Sequence, residues 1–134
     1  MSQRAAGAFD VKVTPQKPDT QIARAANFSR LTIDKRFHGD LEGISKGEML
    51  ATQTETQGSA GYVALERVTG RLGGRQGSFV LQHSATMSRG TPTSSISVVP
   101  DSGSGELRGI SGSMTITVAA DGAHSYQLDY KLLP

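Results

Sequence analysis

The strongest constraint on this chain is a stretch in which apolar and polar residues alternate on either side of a glycine-rich turn, from Gly58 to Gly90. Tyr62–Leu72 and Ser78–Met87 are runs of strand-forming residues flanking Gly73-Gly74-Arg75-Gln76-Gly77, which predicts a β-hairpin. Alternation with period two places successive side chains on opposite faces, so a hairpin with one apolar face must bury it against more sheet. The same period recurs along the chain. Ala8–Val13 reads as a first strand, with residues 1–7 an expected flexible N-terminus, and Pro15 and Pro18 end it. The segment from Asp19 to Asn27 is the one helix-compatible piece, and its length favours a single turn or a structured loop.

Phe28–His38 alternates clearly. Leu41 to Thr54 follows as one long strand or two short ones, interrupted at Gly43 and Gly47. After the hairpin come Ser94–Val99, Glu106–Ile110, Ser113–Ala119 and His124–Leu132, the last pair joined across Asp121-Gly122, a strong hairpin signal. About eight strands with short connections and almost no helix leave two all-β solutions, a sandwich or a closed barrel. Consecutive hairpins favour an up-and-down antiparallel barrel, because closure removes the exposed edges.

At 134 residues the chain is expected to form one domain with a self-sufficient core. Sixteen glycines suit tight turns between strands. The absence of cysteine excludes disulfides, thiolate-bound zinc, iron–sulfur clusters and a cysteine nucleophile together. The formal charge is +2, with basic and acidic residues interspersed rather than striped, so no nucleic-acid partner is expected. No apolar run approaches the ~20 residues of a membrane helix, and Met1–Gly7 lacks a signal-peptide core. A cytoplasmic protein without a membrane partner is the expectation.

The hairpin segments SAGYVALERVTG and GRQGSFVLQHSATMSRG, together with KRFHGDLEG, SVVPDSGSGELRGISGSM and the closing HSYQLDYKLLP, resemble the bacterial domain of unknown function 3224 family. The resemblance runs from Phe28 to the C-terminus. It implies an allene oxide cyclase-like barrel, the eight-stranded antiparallel fold shared with plant allene oxide cyclases and dirigent proteins. It does not carry an activity over. The cyclases use a first-strand glutamate, an asparagine-held water and a cysteine. Here the first strand offers Asp10, and there is no cysteine. The exterior association of the plant proteins makes a homo-oligomer an expectation, with Val63 and Leu65 suited to an outer interface.

Alternation assigns the interior. Phe79, Leu81, His83, Ala85 and Met87 share one face, so His83 is expected in the lumen, where imidazole can move a proton near neutral pH. Glu66 lies on the face of Tyr62, Ala64 and Val68, opposite Arg67 and Arg71, and is also expected inside. Lys35, on the face of Leu31 and Phe37, needs a buried carboxylate partner, so a structural Lys35–Glu66 ion pair competes with a catalytic Glu66. Tyr126 and Tyr130 sit on the apolar face of the last strand, and Glu48, with Leu50 and Thr52, is a further inward candidate.

Two functions follow as expectations. The first is a barrel that is structural or binds a small hydrophobic molecule, lined by Lys35, Tyr62, Phe79, Tyr126 and Tyr130. The second is a cofactor-independent isomerase or cyclase with Glu66 and His83 as the catalytic pair. His38, His83 and His124 lack ligand-like spacing, so no metal is expected, and no motif calls for a cofactor.

Overall fold

The computed structural model describes residues 2–133. Nine strands and one short helix follow in chain order: β1 (Gln3–Gln16), α1 (Gln21–Ala26), β2 (Ser29–Phe37), β3 (Leu41–Gln53), β4 (Ala60–Leu72), β5 (Arg75–Ser88), β6 (Thr91–Val98), β7 (Ser104–Gly105), β8 (Ser111–Val118) and β9 (His124–Lys131). Antiparallel ladders run β4-β3-β2-β1-β9-β8-β6-β5, and a further β4–β5 ladder joins the two ends. The result is the expected closed eight-stranded antiparallel barrel, with β7 as an extra two-residue strand beside β5.

Closure depends on residues that carry no alternation signal. Gln3–Gly7, expected as a flexible N-terminus, belong to β1 and pair with β9 from Gln3↔Tyr130 to Gly7↔Tyr126, while Phe9–Gln16 pair with β2. One strand thus bridges two neighbours in succession, which supplies the stagger a closed barrel requires. The central hairpin turns more tightly than the sequence indicates. Gly73 and Gly74 alone form the turn, both at positive φ (56° and 83°), the conformation of a two-residue primed turn, so β5 begins at Arg75.

The expected strand over Glu106–Ile110 is absent. After Ser104–Gly105 the chain turns back, and Leu107 and Ile110 drop into one end of the barrel as a plug. That end is closed: Leu41, Leu72 and Leu107 are fully buried. At the opposite end burial fades along each strand. Val13 is 42% exposed and Val118 59%, while Leu31, Met49 and Tyr62 are half-buried. The barrel therefore has a packed floor and a looser mouth.

An aromatic stack holds the closed half together. Phe9 lies 5.6 Å from Phe37, and Phe37 meets Tyr126 edge-on at 5.4 Å. The Tyr126 hydroxyl donates to the His38 carbonyl (2.7 Å) and accepts from the Leu41 amide (2.9 Å), tying β9 to the β2–β3 turn. Tyr126→Phe is expected to leave that amide short of an acceptor and to cost about 1–3 kcal/mol, measurable as a lower urea midpoint at unchanged slope.

Candidate functional site

Four consecutive strands each contribute one polar side chain to the lumen: Lys35 from β2, Ser45 from β3, Glu66 from β4 and His83 from β5, all buried. Their meeting follows from register. Lys35 lies opposite Ser45, but Glu66 lies opposite Gly47 and His83 opposite Ala64. The small residues at the directly facing positions leave space for the larger polar groups to meet diagonally. Gly47 is indispensable to this: a Cβ there would fall 2.1 Å from the Leu65 carbonyl oxygen and 2.7 Å from the Glu66 Cα.

Glu66 is the hub. Its Oε1 accepts from the Ser45 hydroxyl (2.7 Å), and its Oε2 accepts from both the Lys35 ammonium (2.9 Å) and His83 Nε2 (2.5 Å). Burial by itself would push the carboxyl up. The His83 hydrogen bond and the Lys35 charge outweigh it and bring Glu66 down to about 2. The Lys35 ammonium also lies 4.9 Å from the centre of the Phe9 ring and 5.7 Å from that of Phe37, so the aromatic faces share its charge.

The ionised Glu66 can only accept, so His83 Nε2 must carry the proton between them. The remaining ring nitrogen, Nδ1, has no hydrogen-bond partner among the described residues. No buried polar side-chain atom among those residues lacks a partner, so Nδ1 must border accessible space. The cluster is a carboxylate-held imidazole with one free nitrogen, set one to two layers below the mouth.

The other expected site residues divide. Tyr62 is half-buried toward the mouth, and burial, then the Glu66 charge, raise its phenol. Phe79 is fully buried within the packed core. The Tyr126 hydroxyl is committed to backbone, and that of Tyr130 donates to the Gln3 side chain (3.1 Å) at the closed end. The structure thus joins Lys35, Glu66 and His83, places Tyr62 above them, and leaves Phe79, Tyr126 and Tyr130 outside the cluster.

Glu48 points outward and pairs with Arg30 at 2.9 Å, contrary to the inward placement. Asp10 also lies outside, against His38. Sequence reasoning missed Ser45, because Gly43 and Gly47 remove the apolar signal from the inward face of β3 while Ile44 and Leu50 mark the outward one. It also missed His124, whose ring lies 5.1 Å from Phe9, a contact no local pattern announces. Among the described residues no group of three His, Asp or Glu is placed to hold a metal ion, and no helix is long and apolar enough to cross a membrane.

The family model described as "Protein of unknown function (DUF3224)" matches residues 5–130. The chain belongs to the DUF3224 family. The crystal structure of a DUF3224 protein with unknown function from Shewanella oneidensis MR-1 is similar over 100% of this chain and 99% of that one, at 43% identity and a TM-score of 0.90. No curated protein matches. The Shewanella oneidensis protein therefore supports the DUF3224 barrel but names no activity for it.

Removing the hub charge should expose its role. Glu66→Gln leaves Lys35 buried without a counter-charge, so a loss on the order of 3–5 kcal/mol is expected in urea unfolding, partly recovered in the Lys35→Met, Glu66→Gln double variant. Because the folded carboxyl lies below its ordinary value of 4.5, its contribution is complete above that pH and fades as pH falls toward about 2. The native protein should lose stability across that interval, and Glu66→Gln should lose less.

Proposed function

We infer that this protein binds a small, mostly apolar molecule at the open end of its barrel, with His83 Nδ1 as the polar anchor. The unpartnered Nδ1, above a floor of packed aromatics and below a mouth of half-buried apolar residues, carries this reading. A buried ion pair contributes little net stability compared with apolar residues of the same volume. Keeping Lys35, Glu66 and His83 in the lumen therefore makes most sense if a ligand uses one of them. Glu66 fixes the imidazole and Lys35 balances Glu66. The ligand that fits is neutral, compact and carries one hydrogen-bond donor, such as a hydroxyl, for Nδ1.

The same pair supports a second reading, a cofactor-independent isomerase or cyclase. An imidazole whose Nε2 proton is held by a carboxylate can take a substrate proton at Nδ1 and return it, which is the arrangement general acid–base catalysis uses. The eight-stranded antiparallel closure supports placing the fold among the allene oxide cyclase-like barrels. The outward Asp10 and the lack of cysteine separate any such activity from the plant cyclases.

A thermal-shift and native mass-spectrometry screen of small apolar alcohols and phenols tests the binding reading. Binders should raise the melting temperature. Their effect should vanish in Ala85→Phe, which fills the mouth, and weaken about tenfold or more in His83→Phe. Binding indifferent to Ala85→Phe would contradict the reading, as would a broad screen with no binder. Proton exchange into a bound ligand, lost in His83→Phe, would favour the isomerase.

A further inference from the structure

The lumen holds a second open polar atom. Tyr126 and Tyr130 have their hydroxyls engaged, whereas that of Tyr62, the remaining tyrosine, has no hydrogen-bond partner among the described residues. Tyr62 is half-buried, and no buried polar side-chain atom among those residues lacks a partner, so its hydroxyl must border accessible space, as His83 Nδ1 does. Water can meet a lone phenol at a barrel mouth. What sets this one apart is its place beside His83. Tyr62 lies opposite Ala51 on β3 and Ala85 on β5, while His83 lies opposite Ala64. Tyr62 and His83 are therefore diagonal neighbours on the inward face, with backbones about 7–8 Å apart, a span within reach of an aromatic side chain. The residues facing them across the ladder, Ala64 and Ala85, are small, so no bulky side chain fills the wall between the two groups.

The two atoms are complementary. Burial, then the Glu66 charge, raise the Tyr62 phenol, so its hydroxyl lies within reach of the Glu66 field and stays protonated. That field turns the O–H dipole hydrogen-first toward the cluster. Tyr62 thus donates into the space where Nδ1 accepts. We propose that the ligand carries a hydrogen-bond donor and a carbonyl oxygen a bond or two apart, the donor for His83 Nδ1 and the oxygen for the Tyr62 hydroxyl. The α-hydroxy ketones are the simplest neutral class with that pattern. A simple alcohol satisfies Nδ1 alone, and a simple ketone satisfies Tyr62 alone. A carboxylate is excluded on charge: it would set a second anion beside Glu66, whose cation, Lys35, is already paired. The proposal rests on the reading that His83 Nδ1 anchors a ligand in the mouth, and extends it from one polar contact to two.

Three probes that share a phenyl body separate the two contacts: phenacyl alcohol offers donor and carbonyl, phenethyl alcohol the donor, and acetophenone the carbonyl. In calorimetric titrations of the full chain, phenacyl alcohol should bind about fivefold or more tightly than either of the others. Tyr62→Phe removes a hydroxyl without a protein partner, so its urea midpoint should match the native one. In that variant the advantage of phenacyl alcohol over phenethyl alcohol should disappear, the two alcohols binding alike. His83→Phe should weaken both alcohols. Equal binding of the two alcohols by the native chain overturns the proposal and leaves the single-anchor reading standing. So does an advantage for phenacyl alcohol that survives in Tyr62→Phe. Failure of all three probes to bind, or binding indifferent to Ala85→Phe, contradicts the underlying reading and the proposal together.

Discussion

Glu66 is the constraint around which the interior of this barrel is arranged. An ionised carboxylate with no surface exposure is tolerable only if both its oxygens are met by donors, and three strands supply them: Lys35, Ser45 and His83. The supply dictates the backbone around it. Gly47 must lack a side chain so that β3 can pass close to Glu66, and Ala64 must be small so that His83 can reach across. The Phe9 and Phe37 rings then take up the rest of the Lys35 charge and link the polar cluster to the packed floor. Electrostatics and packing are coupled here through single atoms.

The barrel divides along its axis into a part that is only structure and a part that can act. Below the cluster, Phe37, Phe79, Leu81 and Leu128 fill the lumen, and the Leu107–Ile110 plug seals it. Above it the apolar residues grow progressively more exposed. The polar atoms facing the floor are all engaged, and the atom left open, His83 Nδ1, belongs to the cluster nearest the mouth. Such a division lets a small barrel keep a stable core while one end stays less tightly packed.

Much of this was legible in the sequence where alternation was unbroken. The β4–β5 hairpin placed Glu66 and His83 inside, and Lys35 on the face of Phe37 demanded a carboxylate, which Glu66 supplies. Legibility failed where glycine replaced the apolar residue that marks a face. On β3 the inward positions include Gly43 and Gly47, so Ile44 and Leu50 misdirected the assignment and put Glu48 on the wrong side. It failed again at Glu106–Ile110, where apolar residues at strand spacing serve as a plug, and at Gln3–Gly7, where pairing with β9 rather than local pattern makes the strand. Diagonal contacts between strands, such as Ser45 with Glu66, depend on register that no single strand encodes.

The central claim is that Glu66 holds the Nε2 proton of His83 and leaves Nδ1 as the imidazole atom free to exchange protons or accept a ligand. Long-range ¹H–¹⁵N correlation spectra of the His83 ring, recorded with and without a ligand, test it most directly. The account requires the proton shared with Glu66 to sit on Nε2 and the Nδ1 resonance to shift when a ligand enters the mouth. A His83 ring protonated at Nδ1 and bare at Nε2 would contradict it.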